Sequence, residues 1–280
     1  MRIVETAREL SELSYVVRQS GQKIALVPTM GALHEGHRSL IHVAQQHAEF
    51  VIVSIFVNRL QFNNEEDFET YPVTLEDDIA ICRSSGVSAL YMPSSSSMYP
   101  ESFSTSVQVS GLTARFEGAS RPGHFSGVTT VVTKLLTASA PDIAIFGQKD
   151  FQQFAVMRKL VKDLDIPVDM VMAPTIREED GLALSSRNVR LSKESRQRAV
   201  SISQALFHSL SLFRSGIRDT QELIEATRQT CIGEIENPDY IAIVDAQTLD
   251  TVSQANLGDV LLFAGTIDGI RLIDNIIFSA

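Results

Sequence analysis

The sequence predicts an α/β protein in which a parallel-sheet domain, residues 1–175, precedes a smaller α+β domain, residues 176–280. Three observations predict this organisation. The chain of 280 residues exceeds one typical domain. Short apolar runs alternate with helix-period patterns in the first region, as in strands that are buried on both faces and joined by helices. Beyond Leu191, two helical patterns precede three strand patterns, which favours a small α+β domain.

The composition narrows the classes of function. A hydrophobic fraction of 44% with 21% charged residues is typical of a globular protein. The net charge is −10 and no long cluster of Lys and Arg occurs, so we expect no nucleic-acid partner. The longest apolar run, Phe50–Val57, is strand-sized, and we expect no membrane span or signal peptide. Cys82 and Cys231 are far apart, which favours free thiols in a reducing cytoplasm.

The N-terminal elements follow from periodicity. Thr6–Gln19 has the spacing of an amphipathic helix, and Ile24–Val27 is an apolar run of strand length. A helix then extends to about Ala48, and the run at Phe50–Val57 forms the next strand. Strand, helix and strand in this order predict a right-handed βαβ unit, the building block of a Rossmann-type domain.

The turn inside this unit has the sequence PTMGALHEGHRSL and carries the first candidate site. Gly31 and Gly36 can take backbone angles closed to other residues, and the following helix offers free N–H groups and a positive dipole end. An anion is the natural ligand. His34 and His37 lie on one face if the helix has begun, where both can donate to phosphate oxygens. A glycine-rich turn with a capping or surface histidine is the alternative.

This HxGH pattern resembles the nucleotide-binding signature of the class I adenylyl-transferring superfamily, and with its flanks it is similar to the pantothenate synthetase (pantoate–β-alanine ligase) family. The resemblance implies ATP-dependent condensation of (R)-pantoate with β-alanine through pantoyl adenylate. It also implies a Rossmann-type domain, Mg²⁺ as a cofactor, and a homodimer. Five family motifs occur in the family's order between Pro28 and Asn188.

The motif FVNRLQF follows the second strand, where an open parallel sheet places its ligand crevice. Asn58 and Gln61 are amides between large apolar residues, an arrangement that can orient a small substrate, although turn formation alone would also explain them. The resemblance places Gln61 on pantoate and β-alanine. Arg59 stands where the family has proline, which removes a rigid turn residue and adds a charge.

An acidic segment, Glu65–Asp78, leads into a predicted helix, and such charge runs usually form solvated faces. The resemblance instead implies that Asp77 and Asp78 hold Mg²⁺ near the nucleotide. Ile81 and Val73 depart from the family pattern at this segment.

Two further strands are predicted at Ser88–Met92 and Thr105–Val109. The glycine-rich loop RFEGASRPGHFSGV follows, with an apolar helix after it. Arg121 and His124 in this loop could reach an anion or lie at the surface.

A buried strand, Asp142–Phe146, ends in GQKDFQQ and repeats the strand, glycine turn and helix of the first site. Lys149 and Asp150 could meet a phosphate and a ribose or metal, or could merely cap the helix. The resemblance places Lys149 at ATP and Gln153 on pantoate. Gln148 replaces the usual glutamate.

A strand at Val168–Met172 leads to TIREEDGLALSSRN. Ser185, Ser186 and Arg187 there could form a flexible loop that closes on phosphates. With HxGH upstream, the segment resembles the superfamily's second signature, the counterpart of KMSKS. In the C-terminal domain, one helix begins near Ser192, and a second spans Thr220–Ile235 with Asp219 or Thr220 as its cap. Three strands follow at Tyr240–Val244, Asp259–Ala264 and Ile270–Phe278. The last strand comes after a turn at Asp268–Gly269. This domain would act as a lid over the nucleotide.

Carried over residue by residue, the resemblance implies one site. Its catalytic groups are His37, as the proton donor, with His34 and Lys149; its nucleotide contacts are Met30, Gly31, Ala32, Leu33, His34, Glu35, Gly36, His37, Gly147, Gln148, Lys149, Asp150, Ile176, Leu184, Ser185, Ser186 and Arg187; its substrate contacts are Asn58, Gln61 and Gln153; and its metal ligands are Asp77 and Asp78.

Two alternative functions stay open on the sequence. The first is a nucleotidyltransferase that transfers AMP to a phosphorylated acceptor without an amine, as other HxGH proteins do. The second is a nucleotide-binding protein without turnover, which the departures at Arg59, Val73, Ile81 and Gln148 favour.

Overall fold

The structure, a computed structural model, describes residues 1–235 and 238–280. The predicted α/β class is confirmed: a parallel sheet with flanking helices precedes a small antiparallel sheet. The chain forms two compact units, residues 1–147 with 156–174 and residues 148–155 with 175–280. Residues 148–155, which the sequence predicts for the first domain, pack with the second unit in the structure.

The strands of the described residues are β1 (Arg2–Val4), β2 (Ile24–Thr29), β3 (Phe50–Ile55), β4 (Ala89–Tyr91), β5 (Ile143–Gly147), β6 (Asp169–Ala173), β7 (Pro238–Val244), β8 (Val260–Ile267) and β9 (Ile270–Ile277). The α-helices of the same residues are α1 (Ala7–Gln19), α2 (Glu35–His47), α3 (Glu65–Glu69), α4 (Leu75–Ser84), α5 (Ser95–Met98), α6 (Glu117–Ser120), α7 (His124–Ser139), α8 (Phe151–Asp163), α9 (Lys193–Arg214) and α10 (Thr220–Cys231).

The parallel sheet has the strand order β1-β4-β3-β2-β5-β6. β2 and β3 are its central strands and are buried along most of their length, which explains why their sequences read as continuous apolar runs. The chain passes from β2 outward to β3 and β4, then returns to the other side at β5. This reversal puts the topological switch point between the carboxyl ends of β2 and β5, where open α/β sheets bind ligands.

Two local features of the first unit differ from the sequence expectation. The edge strand β1 was not predicted, because it has three residues and two of them are exposed. The strand predicted at Thr105–Val109 is wrong. The backbone of Val107, at its centre, bonds side chains of α7: the Val107 N–H donates to Thr130 Oγ1 (3.0 Å), and the Val107 carbonyl accepts from Thr129 Oγ1 (2.5 Å). Threonine hydroxyls on a helix thus take the place of the neighbouring strand that a strand at this position would need.

The second unit contains the predicted two helices followed by an antiparallel sheet, β7-β8-β9. Asp219 caps α10 by accepting the N–H groups of Gln221 (2.9 Å) and Glu222 (3.0 Å). Asp268 and Gly269 both have positive φ, 47° and 78°, and form the predicted tight turn between β8 and β9. Helix α10 ends at Cys231, earlier than the predicted Ile235. Within the described ranges, every helix is too short or too polar to cross a membrane.

Candidate active site

The turn after β2 is closed by its two histidines. His34 is the N-cap of α2, and its Nδ1 accepts the N–H of Gly36 (3.1 Å). His37 stands three residues on, and its Nδ1 accepts the N–H of His34 (3.2 Å). The pair forms the reciprocal arrangement that Ser/Thr and Glu make in a capping box. The two ring centroids lie 4.2 Å apart.

This cap fixes the tautomer of both rings. A backbone N–H can only donate, so each Nδ1 must accept and cannot carry a proton. The proton of each neutral imidazole is therefore on Nε2. Each ring consequently has an Nε2–H donor, the group that a phosphate oxygen requires.

The backbone N–H groups of this turn are bonded within the chain, whereas the sequence predicted free N–H groups at the start of the helix. Gly36 lies in the first turn of α2 without a positive φ, and its N–H is bonded to His34. The N–H groups of His37 (2.8 Å) and Arg38 (3.1 Å) both bond the His34 carbonyl. These helix-start amides are thus engaged within the chain, and the imidazole Nε2–H groups become the better candidates for an anion contact.

Asp78 supports the same turn from helix α4. Gly31 (φ 87°) and Ala32 (φ 49°) take left-handed conformations. The Asp78 carboxylate accepts the N–H of Ala32 (3.0 Å) and of Leu33 (2.7 Å), and its exposed fraction is 2%. A side chain at position 31 would begin 2.9 Å from Asp78 Oδ2, so glycine is required there.

The predicted magnesium pair is not assembled as a pair. Both oxygens of Asp78 are bonded to the β2–α2 turn, and Oδ1 also accepts from Thr74 Oγ1 (3.2 Å). Asp77 is exposed on the neighbouring helix position. Among residues 1–235 and 238–280, no group of three or more His, Cys, Asp and Glu side chains is placed to hold a metal ion. Asp78 is thus engaged by the turn, and the assignment of Asp77 and Asp78 as magnesium ligands stays a prediction.

The turn after β3 places Asn58 and Gln61 in a buried network. Asn58 precedes a 3-10 turn, Arg59–Gln61, and its Nδ2 donates to Gln61 Oε1 (3.0 Å) and to the Gly127 carbonyl (3.1 Å). The hydroxyl of Tyr99 donates to Asn58 Oδ1 (2.9 Å). Gln61 Nε2 lies 2.9 Å from the sulfur of Met30.

The loop before α7 holds the backbone of Gln61. His124 is buried, and its Nδ1 lies 2.8 Å from the Gln61 carbonyl, which can only accept a hydrogen bond. Arg121 Nη2 also donates to this carbonyl (3.4 Å). The two residues that could have bound an anion therefore contact the backbone of the predicted substrate glutamine.

Lys149 lies in the second unit, in a 3-10 turn (Gln148–Asp150) that precedes α8. Asn275 of β9 holds this turn: its Nδ2 donates to the carbonyls of Gln148 and Lys149, both at 2.9 Å. Gln148 Nε2 in turn donates to Asn275 Oδ1 (3.2 Å). Gln153 follows in the first turn of α8 and is half-buried, and Asp150 is exposed.

The segment formed by Ser185, Ser186 and Arg187, called the SSR segment below, also belongs to the second unit. Ser185 accepts the N–H of Arg187 (3.3 Å) and begins a 3-10 turn, Ser186–Arg190. A short hairpin precedes it, closed by the bond from the Leu184 N–H to the Ile176 carbonyl (2.9 Å). The segment is therefore folded rather than without structure.

Charged and amide side chains tie this hairpin to its surroundings in the second unit. Arg196 contacts Glu178 (2.7 Å) and Asp180 (2.8 Å), and Asn188 donates to Glu178 (2.9 Å). The hydrogen bonds from Arg196 are the main cause that lowers the pKa of Glu178 below its usual value. Arg177 forms a two-bond ion pair with buried Asp274, at 2.6 and 3.0 Å.

Comparison with known proteins identifies the family. The model of the pantoate-beta-alanine ligase family matches residues 2–277. The chain belongs to this family. Pantothenate synthetases of Chloroherpeton thalassium and Chlorobium phaeovibrioides are 43% and 46% identical to it, the first over 98% of each chain, the second over 100% of this chain and 97% of its own.

Solved structures agree with the match. The pantothenate synthetase of Thermus thermophilus has a TM-score of 0.93 at 43% identity, and each chain is covered completely. The pantoate-beta-alanine ligase of Francisella tularensis, solved with beta-gamma ATP and beta-alanine, has a TM-score of 0.81 at 35% identity and is covered over 98% of its chain. It covers 100% of the present chain.

The four departures from the ligase family's motifs are accommodated locally. Arg59 forms an ion pair with Glu65 and donates to the Phe62 carbonyl (3.2 Å), so bonds replace the rigidity of a proline. Val73 is exposed at 75%, and Ile81 packs against the core of the first unit. Gln148 joins the Asn275 network.

Sequence reasoning missed three residues of this ligase that support predicted site residues: Tyr99, Asp78 in its contact with the turn, and Asn275. Each acts across a long stretch of chain, and no local spacing connects it to its partner. Strand β9 carries three polar residues, Arg271, Asp274 and Asn275, and the sequence pattern does not distinguish Asn275 from the other two.

Proposed function

We propose that this chain catalyses the ATP-dependent condensation of (R)-pantoate with β-alanine, giving pantothenate, AMP and pyrophosphate. The observation that carries the proposal is the family match over residues 2–277, with relatives above 40% identity along nearly the whole chain. The complex of the Francisella ligase with a nucleotide and beta-alanine supports the two substrates named in it.

The reaction has two steps. A carboxylate oxygen of pantoate attacks the α-phosphorus of ATP, and the bond to pyrophosphate breaks, leaving pantoyl adenylate. The amine of β-alanine then attacks the acyl carbon, AMP leaves, and the amine gives up a proton. Neither step requires a covalent bond to the protein, so its task is to position the reactants and to stabilise charge.

In the first unit, the Nε2–H groups of His34 and His37 would donate to phosphate oxygens as negative charge develops on the departing pyrophosphate. Their Nδ1 atoms are committed to the cap, so the donors are held in place before ATP arrives. Asn58 and Gln61 would orient pantoate. The backbone from Met30 to Leu33 would line the nucleotide site.

In the second unit, Lys149 would contact the phosphates and Gln153 would contact pantoate. Ser185, Ser186 and Arg187 would supply further hydrogen bonds to phosphate oxygens. The remaining predicted nucleotide contacts of this unit are Gln148, Asp150, Ile176 and Leu184.

We expect ATP to be used as its magnesium complex, with the phosphates and water rather than Asp78 supplying the main ligands of the ion. A homodimer and a cytoplasmic location belong to the proposal as properties that family resemblance implies.

The decisive experiment is pantoate-dependent exchange of labelled pyrophosphate into ATP, run with Mg²⁺ and without β-alanine. We expect exchange that requires pantoate, followed by AMP and pantothenate once β-alanine is added. AMP transfer to a phosphorylated acceptor would instead identify a nucleotidyltransferase. Binding of ATP without exchange would identify a nucleotide-binding protein that lacks turnover.

A further inference from the structure

The carboxamide of Asn58 has only one orientation that satisfies its neighbours. One end lies 3.1 Å from the Gly127 carbonyl oxygen, which can only accept a hydrogen bond. That end must be the NH₂ group. Asn58 Oδ1 therefore points to the Tyr99 hydroxyl, 2.9 Å away, and the Tyr99 O–H must donate to it.

The orientation of Asn58 determines that of Gln61. Since Asn58 offers its NH₂ group, the atom of Gln61 that faces it at 3.0 Å must be the acceptor Oε1. Gln61 Nε2 is thereby turned to the opposite side. Its partner there is the thioether sulfur of Met30 (2.9 Å), a weak acceptor. Gln61 thus holds a strong donor that a carboxylate or hydroxyl oxygen would satisfy far better than sulfur.

Tyr99 is suited to be a permanent donor. Burial raises its pKa to about 12, so the hydroxyl stays protonated over the working range of pH. The ring is held between two aromatic side chains, with centroid distances of 5.0 Å to Phe103 and 6.0 Å to Phe56. The hydroxyl position is therefore fixed by packing as well as by the bond to Asn58.

The opposite side of the network is equally constrained. A side-chain carbon at position 127 would begin 2.3 Å from the Leu60 carbonyl oxygen and 2.6 Å from the Gln61 nitrogen. Only glycine allows helix α7 to approach the 3-10 turn this closely. The approach places the Gly127 carbonyl on Asn58 and His124 on the Gln61 carbonyl.

We propose that Tyr99 is a positioning residue that, through Asn58, orients the Gln61 carboxamide so that its NH₂ group faces the acid substrate. This inference rests on the proposed function, in which Gln61 contacts pantoate. In this role Tyr99 acts on the substrate only through the two carboxamides. Loss of its hydroxyl removes one of the two bonds that fix the Asn58 carboxamide, since the bond to the Gly127 carbonyl remains. Asn58 is then held less firmly, and Gln61 presents its NH₂ group to the substrate for a smaller fraction of the time.

The test is Tyr99→Phe, which removes one oxygen and keeps the ring. Pantoate-dependent pyrophosphate exchange is measured as a function of pantoate and of ATP, at a temperature where circular dichroism shows every variant folded. We expect the KM for pantoate to rise about fivefold, the effect of one hydrogen bond, with the KM for ATP unchanged. Tyr15→Phe, the same change on the exposed face of α1, is the control.

A double-mutant cycle separates positioning from general loosening. If Tyr99 acts through Gln61, Tyr99→Phe adds no further rise in the KM for pantoate once Gln61→Ala is present. An equal rise in both backgrounds, or an unchanged KM in the single variant, overturns the proposal. Failure of the proposed function is distinguishable, because the wild-type protein would then show no pantoate-dependent exchange.

Discussion

The turns after β2 and β5 have the same plan, strand, turn and helix, but their backbones are held by opposite chemistry. The β2–α2 turn directs N–H groups inward, and the buried acceptor Asp78 binds those of Ala32 and Leu33. The β5–α8 turn directs carbonyls inward, and the donor Asn275 binds those of Gln148 and Lys149. Asp78 belongs to the first unit, whereas Asn275 belongs to the second.

This difference shows how two similar turns acquire different dependence on the rest of the chain. The β2–α2 turn is held by Asp78, which lies 45 or 46 positions along the chain from the amides it binds. The β5–α8 turn is held by Asn275, which lies 126 or 127 positions from the carbonyls it binds. Changes at the two supports should therefore affect stability and ATP use in different proportions.

The largest expected effect comes from two substitutions of His37, each of which preserves the function of only one of its two ring nitrogen atoms. In His37→Asn the amide oxygen can still act near the Nδ1 position, but the Nε2–H donor is lost, and we expect kcat to fall about 100-fold. In His37→Gln the amide NH₂ can replace Nε2–H while the cap is lost, so we expect a fall of about tenfold with about 1 kcal/mol less stability. Steady-state kinetics and urea unfolding measure both. The reverse order of kcat values would show that capping, not donation, is the role of His37.

Asp78→Ala tests the support of the first turn. It leaves a buried N–H group, that of Leu33, and a partly buried one, that of Ala32, without an acceptor, so we expect the free energy of unfolding to fall by about 3 kcal/mol. Because the histidines then lose their fixed position, kcat/KM for ATP should fall about 50-fold. Urea unfolding and pyrophosphate exchange measure the two quantities.

Asp77→Ala is the matched control for Asp78, since it removes the adjacent, exposed carboxylate. We expect it to change stability by less than about 0.5 kcal/mol. If Asp78→Ala left stability intact and raised only the Mg²⁺ concentration required for half-maximal exchange, the metal-ligand assignment would be supported.

Asn275→Asp tests the support of the second turn with an isosteric change. A carboxylate oxygen would replace the NH₂ group that faces two carbonyls, and the bonds would become repulsive. We expect the KM for ATP to rise about tenfold, a loss of roughly 1.4 kcal/mol in binding, and the KM for pantoate to change less. The exposed change Asn63→Asp adds the same charge elsewhere and is the control. If Asn63→Asp raised the KM for ATP as much as Asn275→Asp does, the proposal that Asn275 supports the second turn would be wrong.

The fold was predictable because its strongest signals are local. Strands buried on both faces, such as β2, give continuous apolar runs, and the Asp268–Gly269 turn has a two-residue signature. The strand predicted at Thr105–Val109 is wrong because local sequence does not reveal whether a neighbouring strand or the hydroxyls of a helix will bond its backbone.

The candidate site was predictable only in part. Two histidines three residues apart at the start of a helix can be recognised from the sequence, since the helix brings them together. The residues that support the site from distant parts of the chain cannot be recognised in this way. Asp78 looked like half of an acidic pair, because sequence cannot show that its helix turns it inward while Asp77 stays exposed. Asn275 and Tyr99 meet their partners only through tertiary packing.

The smallest expected effect concerns pH and the hairpin before the SSR segment. Hydrogen bonds from Arg196, then from Asn188, lower the pKa of Glu178 from its usual 4.5. A lowered pKa stabilises the folded hairpin at neutral pH, and this contribution is lost as the pH falls below about 4.5 through the lowered value.

Since Glu178 is partly exposed, solvent screening limits the contribution to about 0.5 kcal/mol. Hydrogen exchange at the Leu184 amide, which is bonded to Ile176, measures it. Protection should decrease on acidification in the wild-type protein and be low at every pH in Glu178→Gln. Glu179→Gln, at the exposed neighbouring position, should behave as wild type. An unchanged acid response in Glu178→Gln would show that another group controls the hairpin.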